Sequence, residues 1–589
     1  MKTEIIPASQ LISYATDLQR DGKLAEAIVI YLSILDQIPE YVGVRFNLAK
    51  AYQDTYKDDE AIKQYVAVLK LDPSHRQAHI NVGILYDFRG QYERALKHYL
   101  RAIEIDPHVY GLYPTAATIM LQLARSTDAI DICKKCLDLN PTFIGAAMNL
   151  AGAYTAQGRT STAADVYRDA LKLDPAHYLG HSNYLFILNH SESNLERIAS
   201  EHRRWGEMHA AKVHKAILPP YTHDRIRIGY VSPDFRRHVM GSNILPILKH
   251  HDRDQFEITC YHSNVHEDEV THDMHGMVDH WRDVSKMDYE AMTRRVLTDE
   301  IDILVDLAGH TANNRLPVFA ARAAPVQITY CGYVNTTGMT EMDYRLTDEL
   351  VEPPDLQPYF TEKLLYVPNS SCCYMAPWAD CEVAPPPCLK NGYVTFGSFN
   401  NLVKTSGAVV KLWCEVLKAV PRSRFVLKAK FLKDEIVANR YRSMFKEHGV
   451  SEDRVDLLSW VEGSSHLAPY SLIDVALDTF PFGGGITTFE AAWAGVPTVT
   501  MAGRNMAGRM GVRINTILNN ESERFGEGIK WIACSNDQYI ELAKQLSKPI
   551  RNRYFTRAIL EGSTLMDGAY ITKNIEFAYR AVYKKEVCH

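Results

Sequence analysis

A strict 34-residue period in the first third of the chain limits the possible folds more than any other feature of the sequence. Prolines recur at this spacing without a slip from Pro39 to Pro175, and alanines do so from Ala27 to Ala163. Proline ends a helix, and small residues let paired helices approach closely. The period therefore predicts an α-solenoid of five helix pairs over residues 1–190. The turn inside each pair is predicted at Gly22, Tyr56, Gly90, Ala124 and Gly158.

A polar column follows the same period on the first helix of each pair. Its members, also spaced by 34 residues, are Asn47, Asn81, Thr115, Asn149 and Asn183. A period of this length is typical of tetratricopeptide repeats, whose first helices line a concave surface. A ladder of amides offers donors and acceptors that suit the backbone of an extended peptide. From the column alone two interpretations stay open, a peptide-binding ladder or a consensus residue of the repeat.

Composition excludes several classes of protein. A length of 589 residues predicts about three or four domains, and the net charge of −6 argues against nucleic acid as the main partner. The N-terminus does not read as a secretory signal, and no apolar run is long enough to span a membrane. Eleven scattered cysteines fit a reducing compartment better than a disulfide framework. We expect a cytoplasmic protein without a membrane span.

After a linker helix predicted over residues 191–225, short β-rich runs alternate with helix-length segments, which indicates mostly parallel sheets with helices on both faces. A Pro-rich stretch near residue 385 separates two such sets, predicted as Rossmann-like domains over 226–385 and 386–565. A C-terminal helix is predicted over 566–589. The expected strands lie within RIRIGYVS, FEITCYHS, IDILVDLAG and PVQITYCGY, and within YVTFGSF, RFVLKAK, RVDLLSW, DVALDTF, PTVTMAG and KWIACS.

The stretch 471–501 contains a strand, a glycine turn, a helix and a second strand. Gly483, Gly484 and Gly485 let the backbone approach a ligand closely, and the helix that begins near Thr487 and Thr488 points its free N–H groups at the turn. This arrangement predicts a phosphate cradle. Its spacing matches neither the dinucleotide GxGxxG motif nor a Walker loop.

Polar residues follow the predicted strands, where doubly wound sheets bind ligands. His238 comes after the first strand, Lys404 after the first strand of the second domain, and His466 after its third strand. Lys404 is expected to face the glycine turn. No metal site is indicated, because HExxH is absent and the Cys133–Cys136 pair has no second pair nearby.

With these motifs together, the chain resembles the O-linked N-acetylglucosamine transferase and SPINDLY family in a bacterial-type form. The resemblance rests on the repeats and on GYVSPDFRRH, DILVDLAGHT, PVQITYCGYVNTTG, FGSFNNLVKTS and LDTFPFGGGITTFEAAWAGVPTVTMAG. It implies a GT-B fold and an inverting, metal-independent transfer without a cofactor. The implied donor is a nucleotide sugar, first UDP-GlcNAc, and the implied acceptors are Ser/Thr hydroxyls of proteins docked by the repeats.

The resemblance also implies roles for individual residues. His238 matches an active-site histidine, and Lys404 matches an essential lysine at the diphosphate. The residues implied to bind the nucleotide sugar are Asn401, His466, Gly483, Gly484, Gly485, Thr487, Thr488 and Glu490, with Glu490 at the ribose. The asparagines of the column match a peptide-binding ladder.

Two alternative interpretations share part of this prediction. The same fold can use GDP-fucose or UDP-glucose as donor, or an asparagine acceptor. A non-catalytic repeat scaffold is the third reading, and the joint presence of His238, Lys404 and the glycine turn speaks against it.

Overall fold

The computed structural model describes residues 7–218, 223–377, 381–460, 467–528, 530–548 and 552–587. Its contacts divide the chain into two units, Met1–Ala153 and Tyr154–His589. The repeat helices are Ala8–Arg20 (α1), Leu24–Gln37 (α2), Val42–Asp54 (α3), Asp58–Leu71 (α4), Arg76–Phe88 (α5), Tyr92–Ile105 (α6), Leu112–Gln122 (α7), Ser126–Leu139 (α8), Ile144–Ala156 (α9), Thr160–Leu173 (α10) and Tyr178–Ser191 (α11).

These helices confirm the predicted repeat pattern. Each periodic proline lies two residues after the end of a second helix, as Pro39 does after α2. The alanines of the period are fully buried, which allows the close packing that their spacing predicts: Ala27, Ala61, Ala95, Ala129 and Ala163.

The turn inside every pair uses a left-handed residue, whether or not that residue is glycine. Gly22, Gly90 and Gly158 have φ between 68° and 79°, and Tyr56 and Ala124 have φ of 58° and 60° at the same place in their repeats. Side chains disfavour this region, at a cost of about 1–2 kcal/mol per residue. The geometry of the repeat therefore imposes the backbone conformation even where the sequence opposes it.

The second unit contains two parallel sheets, as the alternating pattern predicts. In the described residues the first sheet has the order β3-β2-β1-β4-β5-β6-β7. Its strands are Ile226–Ser232 (β1), Phe256–His262 (β2), His280–Asp283 (β3), Ile303–Asp306 (β4), Val326–Tyr330 (β5), Tyr344–Thr347 (β6) and Lys363–Tyr366 (β7). The sequence analysis identifies β1, β2, β4 and β5 and misses the other three, which have four residues each and carry polar side chains.

The second sheet has the order β10-β9-β8-β11-β12-β13 in the described residues. All six of its strands fall within predicted runs: Thr395–Ser398 (β8), Arg424–Lys428 (β9), Val455–Leu458 (β10), Val475–Leu477 (β11), Thr498–Met501 (β12) and Ile532–Ala533 (β13). Strands β3 to β6 of the first sheet, six adjacent strands that include its β3 edge, and all of the second sheet thus share the doubly wound 3-2-1-4-5-6 order.

Helices follow the repeats and cover the sheets. They are Leu195–Trp205 (α12), Val239–His250 (α13), Glu269–His275 (α14), Tyr289–Thr298 (α15), Leu316–Ala320 (α16), Cys388–Asn391 (α17), Gly407–Ala419 (α18), Glu435–Glu447 (α19), Ile486–Trp493 (α20), Met510–Glu523 (α21), Asn536–Leu546 (α22), Arg553–Glu561 (α23) and Gly568–Glu586 (α24). Short 3-10 turns span Pro354–Tyr359, Leu402–Lys404, Lys430–Lys433, Glu452–Arg454, Ala468–Leu472 and Met506–Gly508, and a π turn spans Gly206–Ala210.

The C-terminal helix returns to the first sheet. On α24, the side chains of Ile571, Ile575 and Tyr579 are buried in the same apolar core as β1 and β5. His251, after α13, lies 2.9 Å from the Glu576 carboxylate of α24. The last helix of the chain therefore belongs to the core of the first Rossmann-like domain.

Buried arginines join the two sheets. Arg513 of α21 lies 3.0 Å from the Asp348 carboxylate in the loop after β6, and both side chains are fully buried. Arg345 of β6 pairs with Glu352 and also lies 3.1 Å from the sulfur of Met506 in the second domain. Removing one partner of such a buried pair leaves an uncompensated charge, which costs about 3–5 kcal/mol. These contacts hold the domains together.

A search of the described residues for helices finds none with the length and apolarity that a membrane crossing requires.

The strained turn at Tyr56 gives a first prediction. Tyr56→Gly should raise the free energy of unfolding by about 1 kcal/mol, because glycine adopts positive φ without a steric penalty. The Tyr56 side chain is almost fully exposed, so its removal breaks few packing contacts. Thermal and urea unfolding of the full chain measure the change. Tyr56→Ala, which keeps the strain, is the matched control and should not stabilise; equal gains in both variants would contradict the explanation.

Candidate active site

Several of the predicted ligand residues lie where the strand order of the second sheet reverses. β8 and β11 are adjacent strands, and the chain adds later strands on the far side of each of them. Ligands of doubly wound folds bind at the carboxyl ends of the two strands at such a switch point. The chain leaves β8 towards Lys404 and leaves β11 into the glycine turn. A narrow cavity here is lined by residues of both segments, among them Asn400, Asp478, Thr487 and Thr488.

Asp478, immediately after β11, shapes the glycine turn. Its buried carboxylate accepts hydrogen bonds from the backbone N–H of Gly484 at 2.6 Å and from the hydroxyl of Thr500 at 3.1 Å. A Cβ on Gly484 would lie 2.6–3.0 Å from the hydroxyls of Thr487 and Thr488 and from this carboxylate. The turn therefore needs glycine for clearance, and Asp478 fixes the backbone that the glycine allows.

Lys404 contacts the turn directly, as the sequence analysis expects. Its Nζ donates a hydrogen bond of 2.8 Å to the carbonyl of Gly483 and lies 4.3 Å from the centre of the Phe482 ring. Burial lowers the pKa of Lys404 to about 8, against an opposing effect of Asp478. An ammonium group has three donors, so one contact to the turn leaves capacity for a ligand oxygen.

Helix α20 begins at Ile486, directly after the turn. Its first N–H groups have no acceptor within the helix, and its dipole places partial positive charge at this end. The Thr487 hydroxyl donates to the side-chain oxygen of Asn400 at 2.9 Å, and the Thr488 hydroxyl donates to the carbonyl of Gly484 at 3.2 Å. A helix terminus and an ammonium group thus meet at one glycine turn, which is the arrangement that binds phosphate groups.

Glu490 lies further along α20 and is buried. Its carboxyl group lies 3.4 Å from the Tyr470 hydroxyl. Burial raises the pKa of Glu490 to about 8, against the opposing effects of Tyr470 and Lys428. At neutral pH this residue is mostly protonated, so it can donate a hydrogen bond as well as accept one. Its role at a ribose remains a prediction.

Asn401 makes a local hydrogen bond in the loop that carries Lys404. Asn401 caps the short turn Leu402–Lys404, accepting a hydrogen bond of 3.2 Å from the backbone N–H of Val403 with its side-chain oxygen. Its neighbour Asn400 is the residue that contacts α20. His466 lies outside the described residues. The nucleotide roles implied for Asn401 and His466 therefore stay predictions.

His238 lies in the first domain, at the carboxyl end of β1, and forms the N-cap of α13. Its Nδ1 accepts a hydrogen bond of 3.2 Å from Met240 and lies 3.5 Å from the Asp234 carboxylate. Burial lowers the pKa of His238, with Asp234 opposing the change. A partly exposed imidazole that is neutral at pH 7 can accept a proton or donate a hydrogen bond. None of its contacts among the described residues reaches the glycine turn.

The asparagine column lies on the first helices, and three of its members contact the preceding repeat. Asn81 donates to the hydroxyl of buried Tyr65 at 2.8 Å, and Asn47 makes the same type of contact with Tyr31 one repeat earlier. Asn149 donates to the carbonyl of Pro114 at 2.6 Å. Asn183 is exposed on α11. These contacts orient amides on the helix surface, while peptide binding remains a prediction.

A stack of three side chains, which the sequence analysis misses, links α11 to Lys404. The His190 ring lies parallel to the Phe482 ring at 4.2 Å, and Lys404 lies within cation–π distance of the same ring. His190 is buried, and burial lowers its pKa to about 3. It is separated from Lys404 by more than two hundred residues, so no local pattern could reveal the contact. Asp478 did carry a signal, as a polar residue between an apolar strand and glycines.

Comparison with protein families identifies relatives of both parts of the chain. A model described as glycosyl transferase family 41 matches residues 174–374 and 388–560. Tetratricopeptide repeat models match residues 42–75, 77–109 and 146–177.

Individual proteins agree with these matches. The chain is 36% identical over 433 residues to a protein named probable UDP-N-acetylglucosamine–peptide N-acetylglucosaminyltransferase SPINDLY from Solanum lycopersicum, covering 70% of this chain and 45% of that protein. It is 30% identical over 393 residues to the SEC protein of the same description from Arabidopsis thaliana, covering 62% and 39%. The chain thus spans about half the length of the curated relatives it matches, or less.

Among solved structures, a lysine-to-methionine variant of the Thermobaculum terrenum O-GlcNAc transferase superposes with a TM-score of 0.74 at 28% identity. The match covers 93% of this chain and 98% of that one.

The buried Lys404 gives a second prediction. Because its pKa of about 8 lies below the ordinary 10.5, the folded state holds its proton less firmly than the unfolded state. Lys404→Met should therefore raise the free energy of unfolding at pH 7 by about 1–3 kcal/mol, after allowance for the lost hydrogen bond. The gain should shrink as the pH rises from about 8 to 10.5, where the unfolded lysine also loses its proton.

Urea unfolding of both proteins across this pH range measures the difference. Lys411→Met, at an exposed position on α18, is the control and should change stability by less than about 0.5 kcal/mol. A destabilised Lys404→Met at pH 7 would contradict the prediction.

Proposed function

The chain belongs to glycosyl transferase family 41, and from this membership and the site geometry we propose that it transfers a sugar from a nucleotide donor to protein hydroxyls. The preferred donor is UDP-GlcNAc, and the preferred acceptors are serine and threonine side chains of proteins that dock on the repeats. One observation carries the proposal: the Lys404 ammonium bonds the glycine turn at the N-terminus of α20.

In the proposed reaction the acceptor oxygen attacks the anomeric carbon as the nucleoside diphosphate leaves from the opposite side, which inverts the configuration. Negative charge then develops on the diphosphate. Lys404 and the positive end of α20 stabilise that charge through positions fixed before the reaction. We propose that these groups are sufficient without a metal ion. Neutral His238 accepts the acceptor proton or orients the sugar.

The repeats supply the acceptor in this proposal. Asn183 and His190 lie seven residues apart on α11, so they share one face of the helix about 10 Å apart along its axis. His190 stacks on Phe482, whose ring also contacts Lys404. The last asparagine of the column therefore lies on the helix that contacts the donor site, which supports a peptide path towards the reacting sugar.

Another donor deserves a parallel test. The chain is 36% identical to SPINDLY proteins and 30% identical to SEC. Both relatives are named for UDP-GlcNAc, and GDP-fucose, which the sequence leaves open, is the second candidate, with UDP-glucose and an asparagine acceptor after it. The cytoplasm is the proposed compartment.

The reaction is tested with purified chain, lysate proteins and UDP-GlcNAc, UDP-glucose or GDP-fucose in separate incubations, read by intact and peptide mass spectrometry. One donor should give a mass increment on serine or threonine. Lys404→Ala should lower the rate by about 100-fold or more while the chain stays folded, because it removes charge stabilisation from the transition state. Lys411→Ala is the matched control.

Ordinary activity of Lys404→Ala would refute its assigned role. If no donor gave a mass increment and neither UDP nor GDP bound in calorimetry, we would interpret the chain as a non-catalytic repeat scaffold and not as an enzyme.

The acceptor role of the column is tested by replacing Asn47, Asn81, Asn149 and Asn183 with alanine together. Protein modification should fall about tenfold or more, because each lost peptide hydrogen bond contributes about 1 kcal/mol, while hydrolysis of the donor stays within twofold. Asp131→Ala with Lys134→Ala, exposed on a second helix, is the control. Unchanged protein modification in the asparagine variant would contradict the docking role. Deleting residues 1–190 is a less specific test, because it also removes His190.

A further inference from the structure

Two cysteines that take no part in the proposed reaction lie side by side at the domain junction. Cys331 directly follows β5, and Cys372 lies on the segment that leaves β7 towards the second domain. Their sulfur atoms are 2.9 Å apart, although the residues are 41 positions apart in sequence. A disulfide holds its sulfurs about 2.0 Å apart, so a bond between them needs an approach of roughly 1 Å.

The surroundings of Cys372 favour a thiolate. Arg513, the buried arginine of the junction, lies near this thiol and 3.4 Å from the hydroxyl of the adjacent Ser371. The hydrogen bond from Cys331, together with the positive charge of Arg513, lowers the pKa of Cys372 to about 6. The same hydrogen bond raises the pKa of Cys331. One proton therefore lies on Cys331, and Cys372 carries the nucleophilic sulfur.

The backbone at Cys331 is also unusual. Its φ of 60° lies in the left-handed region, which is uncommon for residues with side chains. The next position accepts only glycine, because a Cβ on Gly332 would lie 1.9 Å from the carbonyl oxygen of Leu307. Tight packing therefore holds the Cys331 side chain against Cys372 in a strained conformation. Strain of this type often marks a position with a function.

We propose that Cys331 and Cys372 form a redox modification site, at which a peroxide converts the two thiols to a reversible disulfide. The Cys372 thiolate attacks one oxygen of hydrogen peroxide, the O–O bond breaks, and the departing hydroxide takes a proton to become water. Cys331 then attacks the resulting sulfenic acid, and its proton leaves with the hydroxyl as a second water. The two thiols lose two electrons, and one peroxide accepts both. Cys372 itself is buried, so a small oxidant has to reach it from the side of the partly exposed Cys331.

Oxidation at this site would change the packing against α20, the helix that follows the glycine turn. The segment that carries Cys372 continues to Tyr374, whose ring stacks on Phe489 of α20 at 4.7 Å. Oxidation also removes the negative charge that Cys372 presents to Arg513. The site therefore connects the redox state of the first domain to the helix whose N-terminus forms the candidate phosphate site.

The test uses the reduced full-length chain and hydrogen peroxide alone, so its outcome is independent of the proposed transferase activity. After treatment, free thiols are alkylated under denaturing conditions, and the non-reduced digest is analysed by mass spectrometry. We expect a peptide pair that joins Cys331 to Cys372, two hydrogens lighter than the separate peptides and released by dithiothreitol.

Two internal controls define the dose and the selectivity. Exposed Cys534 reports that the oxidant has reacted. Cys133 and Cys136, whose burial raises their pKa values to about 12 and 11, should stay alkylated as thiols. Oxidised Cys534 with both Cys331 and Cys372 still alkylated would overturn the proposal.

Two variants separate this chemistry from general oxidation. Cys331→Ser should stop Cys372 at the sulfenic acid, which dimedone labels, and Cys372→Ser should abolish the cross-link and leave Cys331 unlabelled. If one variant fails to fold, the other still gives its result. A Cys372–Cys373 bond in the unmodified chain, or equal dimedone labelling of both variants, would overturn the assignment.

Discussion

The candidate site depends on one buried carboxylate. Asp478 holds the N–H of Gly484 and the hydroxyl of Thr500, and so fixes the turn between β11 and α20. It is also the charge that partly offsets the burial of Lys404. Because these bonds are made within the protein, the turn does not rely on a ligand for its shape. The positive groups thus have fixed positions before any ligand binds, as the proposed electrostatic stabilisation of a diphosphate requires.

Stability and function oppose each other at this site. Burial lowers the pKa of Lys404 and raises that of Glu490, and the structure holds both residues despite the cost. Perturbed groups of this type concentrate at functional sites. The buried Arg513–Asp348 pair and the apolar cores of the two sheets supply the surrounding rigidity.

The sequence predicted what local periodicity encodes. The repeat helices, the strands of the second sheet and the contact between Lys404 and the glycine turn all follow from spacing and from the rule that ligands lie at the ends of strands. Three short strands of the first sheet were missed, because the polar side chains of β3, β6 and β7 interrupt the apolar runs by which the other short strands were predicted. The role of Asn401 rests on its place in a motif and stays a prediction, and the contact of its neighbour Asn400 with α20 was not predicted. His190 could not be found from sequence, because its contact with Phe482 joins distant segments.

The stacking of His190 on Phe482 has a consequence for how a protein of this design can change over time. The contact requires that one particular face of α11 points at Phe482 and the loop that carries Lys404. A one-residue insertion in α11 before His190 would rotate His190 away by about 100°. The repeat before it is restricted as well, because Arg440 of α19 donates a hydrogen bond to the carbonyl of Gln157 in the turn between α9 and α10. Such an array can gain or lose repeats near its N-terminal end without disturbing these contacts, whereas a change of length within its last two repeats would move His190 away from Phe482.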